Sequence, residues 1–221
     1  MKADYSIYDR KYQEARAKGW PGWGGAPRLA HEHIWLERLF SYAQVPQRGR
    51  VLELGCGEGH YARLLAAKGY QVTGVDVSAI AIQWAKEKTH VTGHQVEYLA
   101  LDLTQPGILP GQQFDIIVDG NCVHCILGTD RPLFFANVQR LLKRDGLFFV
   151  SSLCSHTGQN EVYELAGQPY RYVPTETHLH RELAAAGFVV QQSTFHRKDI
   201  GPHSHCTVHV TKRERGAVVS I

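Results

Sequence analysis

The chain has 221 residues, 43% of them hydrophobic, with five cysteines and a formal net charge of +3, enough for one well-buried domain and short for two. The odd cysteine number, with no basic segment running into a long apolar one at the start, predicts reduced thiols in a cytoplasmic protein with no leader and no membrane span. Lysines and arginines are scattered, so the mild basic excess does not argue for nucleic acid, and composition is silent on oligomeric state.

The first 47 residues are rich in aromatics. Tyr5, Tyr8 and Tyr12 recur at helical spacing, and Ala30 to Tyr42 reads as a second helix carrying Ile34, Trp35, Leu36, Leu39 and Phe40. Between them Gly19-Trp20-Pro21-Gly22-Trp23-Gly24-Gly25-Ala26-Pro27 holds too many breakers for a regular element. Either its indoles plaster the first helix onto the body of the protein or the segment is a lid, with Trp20 and Trp23 facing a substrate.

Val51-Leu52-Glu53-Leu54 is a short buried strand that breaks into Gly55-Cys56-Gly57-Glu58-Gly59, a turn whose missing side chains let backbone approach a ligand. A helix with Tyr61, Leu64, Leu65 and Lys68 follows and stops at Gly69. The strand after it ends at Asp76, whose carboxylate suits two vicinal ribose hydroxyls. A dinucleotide turn requires Gly-x-Gly-x-x-Gly, whereas here the third glycine comes one residue early and position 60 is His. Glu58 inside the turn would repel a diphosphate. The expected ligand is a cationic nucleoside without phosphate.

Ser78 caps a helix running to about His90, with Ile80, Trp84 and Lys88 in phase. Gln95 to Leu101 is a third strand, followed by Asp102 and a loop over Thr104 to Gln113. Phe114 to Val118 is a buried parallel strand that delivers Asp119-Gly120-Asn121-Cys122-Val123-His124-Cys125 to the carboxyl edge of the sheet. Thr129 or Asp130 caps a helix whose apolar face runs to Leu142 and whose end carries Lys143 and Arg144; Gly146 turns into the strand Leu147 to Ser151. Ser152 to Val173, with Tyr163, Tyr170, Arg171 and Tyr172, is a long insertion and a candidate substrate cover. Thr175 caps a helix ending at Gly187, and Phe188 to His196 and Cys206 to Val210 are two closing strands.

Glu53-Leu-Gly-Cys-Gly-Glu-Gly59 with Gly74-Val-Asp76-Val-Ser78 resembles the first two motifs of the class I S-adenosylmethionine-dependent methyltransferases. Ala100-Leu-Asp102-Leu103 and Phe114-Asp-Ile-Ile-Val-Asp119 are similar to the third and fourth, so the resemblance covers roughly Arg50 to Ser152. It implies a three-layer Rossmann-like α/β sheet, mostly parallel with an antiparallel last strand. It also implies one methyltransferase domain over 1–221, made of a cap (1–47), a cofactor-binding half (48–152) and a substrate-side half (153–221). The cofactor would be S-adenosyl-L-methionine, leaving as S-adenosyl-L-homocysteine. By the same resemblance Gly55, Cys56, Gly57 and Gly59 hold the methionine portion with Glu53, Asp76 and Val77 take the ribose, Asp102 and Leu103 the adenine, and Asp119 and Gly120 face the methionine end.

In-line methyl transfer needs alignment and desolvation and only sometimes a base. The planar-base grip Asn/Asp-Pro-Pro-Tyr/Phe is absent, as is the Pro-Cys pair of cytosine C5 methylation, which leaves a small-molecule acceptor. His124 and Cys122 are the candidate catalytic side chains, with Asn121, Tyr170 and Arg171 beside the substrate. Cys154, His156, His203, His205 and Cys206 are expected at the same sheet edge. Cys122-x-x-Cys125 alone does not make a zinc site, so no metal is assigned. Asn-Cys-Val also resembles the arsenite methyltransferases, which makes a metalloid acceptor one alternative. A nucleic-acid or protein methyltransferase and a non-catalytic cofactor-binding module are the others.

Overall fold

A computed structural model describes residues 4–26, 32–200 and 203–213. Seven strands form one sheet in the order β3-β2-β1-β4-β5-β9-β8, from β1 (Arg50–Leu54), β2 (Gln71–Asp76), β3 (Val96–Ala100), β4 (Phe114–Asp119), β5 (Leu142–Leu153), β8 (Phe188–Ile200) and β9 (His203–Lys212). All neighbours from β3 to β5 are parallel, and β9 runs antiparallel to both β5 and β8. The expected architecture, antiparallel last strand included, is the observed one.

Alternation along the central strands sorts the core into two faces. Leu52, Leu54, Ile117, Phe148 and Val150 pack with Phe134, Val138 and Leu141 of α5 (Asp130–Leu141) and Leu179 and Leu183 of α6 (Glu176–Ala185). On the other face Val51, Val72, Ile116, Val118 and Phe149 pack with Trp35 and Leu39 of α2 (Glu32–Phe40), with Ala62 and Leu65 of α3 (His60–Ala67), and with Ile82 and Ala85 of α4 (Ala79–Thr92). Such fully buried aliphatic and aromatic side chains contribute about 1.5–3 kcal/mol each before entropy is counted, so this sandwich is the rigid base beneath the strand ends.

Two of the three expected caps form. Ser78 Oγ accepts from Ala81 N at 3.1 Å and Thr175 Oγ1 from His178 N at 3.2 Å, whereas Thr129 makes no capping bond. Asp130, at the first position of α5, instead takes the Tyr5 hydroxyl at 2.9 Å. The fifth strand also starts earlier than expected, at Leu142. Asp115 accepts from Lys143 Nζ at 2.7 Å and from Arg50 N at 2.8 Å, drawing Lys143 out of the helical run and into the sheet at a bulge where Phe114 pairs Leu142 and Ile116 pairs Leu147. Gly146 is needed there, since a Cβ would lie 2.8 Å from Leu142 Cδ1 and 3.0 Å from the Asp115 carbonyl.

The long insertion is not irregular. After β5 runs on to Leu153, β6 (Glu161–Leu165) and β7 (Gln168–Val173) pair as an antiparallel hairpin. The first helix, α1 (Ser6–Ala17), lies over the strand ends, tied by Asp9 to Ser78 at 2.5 Å, by Arg16 to Glu87 at 2.9 Å and by the Tyr8 hydroxyl to the Tyr170 carbonyl at 3.2 Å. Ala30 and His31, at the expected start of the second helix, lie outside the described residues.

Candidate active site

A cavity of about 520 Å³ opens at the carboxyl ends of β1, β2, β4 and β5, between the sheet and α1. Of the residues expected to hold the cofactor, Gly55, Asp76, Val77, Asp102, Leu103 and Gly120 line it, and Leu101 joins them.

The glycine turn works differently from the expectation. Gly55 has a φ of 63°, and a Cβ there would fall 2.6 Å from Cys122 Cβ. At Gly57 and Gly59, with φ of 55° and 77°, the space of the missing side chain is filled by the hydroxyls of Tyr12 and Tyr98. Three left-handed residues in one turn strongly favour glycine, and the clearance they create is largely taken by the chain's own side chains. Glu53, Cys56, Gly57 and Gly59 are not among the residues that line the cavity. Glu58 is buried under Gly22 and does not line it either, so its charge acts on a ligand at a distance.

Asp76 is almost fully buried and works in two directions. Oδ2 accepts from Gly57 N at 2.8 Å and Oδ1 from Ser78 N at 2.9 Å, so the acid pins the turn to the next helix. The same carboxyl borders the cavity, where the ribose hydroxyls are expected. Asp102 is arranged likewise by Thr104 and Gln105. Its partial burial raises the pKa, but these hydrogen bonds outweigh burial and hold the carboxyl below its ordinary range.

Asp119 does not meet the cavity. It is fully buried, with Oδ1 taking Cys122 N at 2.5 Å and Val123 N at 3.0 Å and Oδ2 taking Ser151 N at 3.3 Å. Burial pushes its pKa up to about 7 against these bonds. Its work is to fold the loop that presents Asn121, held at a φ of 69°, and the short 3₁₀ turn Val123–Cys125.

The rest of the cavity, where the substrate is expected, is walled by Tyr8, Trp23, Trp35, Tyr61, Arg38, Asn121, Cys122, His124, Cys125, Arg171 and His205. Trp35 stacks on Tyr61 with centroids 4.2 Å apart, and Trp23 packs on Tyr12 at 5.1 Å and Tyr8 at 5.7 Å. Trp20 was expected here as well but lies outside, 40% exposed beneath the Lys18 ammonium. Tyr170 also stays off the wall: its carbonyl receives Tyr8 and its ring receives the Arg171 guanidinium at 4.6 Å. Arg171 lines the cavity with a buried Nε that has no hydrogen-bond partner among the described residues. Trp35, Arg38 and Tyr61 escaped sequence reasoning. The signal was the Trp35 and Arg38 spacing of three on one helix, beside the Tyr61 that follows the glycine turn.

His124 is buried, and its Nδ1 lies 3.3 Å from Leu153 N and 3.4 Å from Ser152 Oγ. Since a backbone N–H only donates, Nδ1 is the acceptor and the neutral ring carries its proton on Nε2. In that tautomer the ring lone pair is engaged by Leu153 N. Cys122 is held as a neutral thiol, because burial first and the Asp119 charge second push its pKa well up, so it is not a poised nucleophile. Cys125 Sγ turns to the Asn121 carbonyl at 3.8 Å. Cys154 and Cys206 belong to the core on the α5 and α6 face and do not line the cavity; of the expected edge cluster, His205 alone joins His124, Cys122 and Cys125 there. His203 lies where side chains are outside the described residues.

A strand-end cavity carrying Asp76 and Asp102 on the walls and Gly55 and Gly120 on the floor defines a nucleoside-binding site of the methyltransferase kind. Residues 52–150 match the family model described as a methyltransferase domain. An uncharacterised methyltransferase of Schizosaccharomyces pombe is 33% identical over 100 residues, 45% of this chain and 68% of the relative. A ubiquinone biosynthesis O-methyltransferase of Chelativorans is 30% identical over 157 residues, 66% of this chain and 60% of the relative. Among solved structures, Burkholderia thailandensis 1,6-didemethyltoxoflavin-N1-methyltransferase, with 1,6-didemethyltoxoflavin and S-adenosylhomocysteine bound, superposes with a TM-score of 0.69 at 21% identity, covering 97% of this chain and 92% of that one. The chain belongs to the class I S-adenosylmethionine-dependent methyltransferases.

The residues present fit that cofactor. Asp76 and Asp102 present carboxyl acceptors at a cavity wall, with Val77, Leu101 and Leu103 as apolar neighbours, and at Gly120 a Cβ would crowd Glu53 Oε1 at 3.0 Å. When bound, the cofactor supplies a methyl group on a sulfonium. Asn121 and His124 line the same cavity. No helix of the described residues is long and apolar enough to cross a membrane.

Proposed function

We propose that the enzyme methylates a small, flat, largely apolar molecule bearing an acidic or carbonyl oxygen. The observation that carries this reading is the cavity wall beyond the cofactor residues: aromatic rings with Arg38, Arg171, His124 and His205 as its polar groups, and a buried Arg171 Nε that needs an acceptor. A volume of about 520 Å³ shared with a nucleoside leaves room for a ring system and not for a polymer segment, and α1 is hydrogen-bonded to the hairpin across the top. The names of similar proteins agree in kind, one a ubiquinone biosynthesis O-methyltransferase and one an N1-methyltransferase with 1,6-didemethyltoxoflavin bound. His124 then donates to the acceptor and orients it, while Arg171 holds its anionic group. A metalloid acceptor is less well supported, because Cys122 is a neutral thiol and Cys154 and Cys206 lie off the cavity.

The test is transfer of labelled methyl from the cofactor to a panel of phenols, hydroxyquinones and acidic N-heterocycles, alongside RNA, DNA and protein. Turnover is expected in the first group, with Arg171→Ala raising KM for the acidic acceptors about 10–100-fold and cofactor affinity unchanged. Labelling only of macromolecules would overturn the reading.

A further inference from the structure

Behind the substrate wall, on the opposite face of the sheet, three elements bring together a set of donors that methyl transfer does not use. Glu176 and His180 stand one turn apart on α6, Ser193 is on β8 and Cys206 on β9. The carboxylate, imidazole and thiol donor atoms of Glu176, His180 and Cys206 all lie within 4.8 Å of one another. Glu176 Oε1 is 3.9 Å from His180 Nε2 and 3.8 Å from Cys206 Sγ. Ser193 Oγ completes the figure, at 2.7 Å from Glu176 Oε1, 3.0 Å from His180 Nε2 and 3.6 Å from Cys206 Sγ.

We propose that Glu176, His180 and Cys206, closed by the Ser193 hydroxyl, bind a divalent transition-metal ion in tetrahedral geometry, zinc by the nature of the donors. A tetrahedron with bonds of about 2.1 Å has edges of about 3.4 Å, and the five edges given above run from 2.7 to 3.9 Å. Shifts of a few tenths of an ångström in three flexible side chains convert the hydrogen-bonded set into a ligand set. One thiolate, one imidazole and one carboxylate are a borderline-soft combination that suits zinc and disfavours magnesium or calcium. Binding releases the Cys206 thiol proton to solvent. The Cys154 thiol, hydrogen-bonded to Cys206, is placed to hold the sulfur from outside the ligand set. The ion would pin α6 to the β8 and β9 hairpin, directly behind His205, which precedes Cys206 and lines the cavity. This inference is independent of which acceptor the enzyme methylates.

The experiment titrates Co²⁺ into the chelator-treated full chain and follows the visible spectrum. Intense tetrahedral bands with a thiolate-to-cobalt charge-transfer band are expected at one equivalent, displaced by Zn²⁺, and zinc at 100 times its Kd should raise the thermal midpoint by about 5–10 °C. Cys206→Ser should abolish the charge-transfer band, and His180→Ala, at a half-exposed helical position that tolerates alanine, should weaken binding at least 100-fold or so. Cys154→Ala should keep the band and lose about 10-fold in affinity. A chain giving no charge-transfer band carries a hydrogen-bond network only, and the proposal fails. It fails equally if the band survives Cys206→Ser, which would place the metal at Cys122 and Cys125, or if His180→Ala binds as tightly as the parent.

Discussion

The cofactor half and the substrate half of the cavity are built by different kinds of contact. Around the cofactor, Asp76 bonds Gly57 and Ser78, 19 and 2 residues away, and Asp102 bonds Thr104 and Gln105, 2 and 3 residues away. Elsewhere on the cavity wall, Tyr5 reaches Asp130 across 125 residues and Tyr8 reaches Tyr170 across 162. Short-range bonds form with each strand-turn-helix unit and cost little loop closure, whereas the long-range ones exist only after the whole sheet is assembled. Apart from the Asp9 bond to Ser78 across 69 residues, the nucleoside end is thus built mostly by local bonds and the far end by long-range ones.

The sharpest way to break this contrast is at Arg131. Its guanidinium pairs both carboxylate oxygens of Glu182, at 2.6 and 2.7 Å, and also donates to the Val123 and Ile126 carbonyls at 2.7 and 2.9 Å. Arg131→Ala leaves the partly buried Glu182 carboxylate with only His178, 4.0 Å away, and takes a donor from the Val123 and Ile126 carbonyls. A loss of about 3–5 kcal/mol in urea denaturation is expected, with acceptor KM rising more than cofactor Kd in the surviving folded fraction. Equal losses at both ends of the cavity would remove the distinction between the halves.

Asp76→Ala attacks the local half. It should weaken S-adenosylhomocysteine binding by about 1.5–3 kcal/mol in calorimetry while the long-range ties of α1 persist. Unchanged affinity would mean that the carboxylate serves only the turn.

Two buried groups give pH signatures of opposite sign. Asp119 has its folded pKa raised to about 7 from 3.8, so the folded state holds a proton that the unfolded chain has lost. Its contribution to stability is full below pH 3.8 and disappears as pH rises through about 7. The stability difference between the parent and Asp119→Asn should therefore shrink from pH 4 to pH 8; a constant difference contradicts the assignment. His209 has its pKa lowered by burial from 6.5, so the unfolded chain binds the proton first and stability falls as pH drops below 6.5. His209→Gln, able to keep a donor for the Leu39 carbonyl, should flatten that acid-side loss in a thermal melt.

The smallest effect concerns the cover. Amides of Tyr12 to Ala26 should exchange more slowly once S-adenosylhomocysteine is added, because Tyr12, Trp23 and Gly24 border the cavity. Equal exchange with and without ligand would show that the aromatic segment is only packed onto the sheet.

Most of the fold was legible in the sequence because parallel strands buried on both faces write themselves as apolar runs, and because glycines and caps punctuate them. Asp76, Asp102 and Gly55 were legible for the same reason: their roles follow from where a strand ends. The start of β5 at Leu142 was hidden, since it is drawn there by Asp115, 28 residues from Lys143. So were the places of Trp35, Arg38 and Tyr61, the exclusion of Trp20 and the tautomer of His124. All but the Trp20 placement depend on a partner far away in the chain, and periodicity carries no record of such partners. The chain's own pattern decided that a nucleoside binds at the strand ends. Only the tertiary structure decided which further side chains wall the cavity, and which face of the sheet Cys154 and Cys206 occupy, because the diagonal placement of side chains across β5 and β9 follows from register and not from composition.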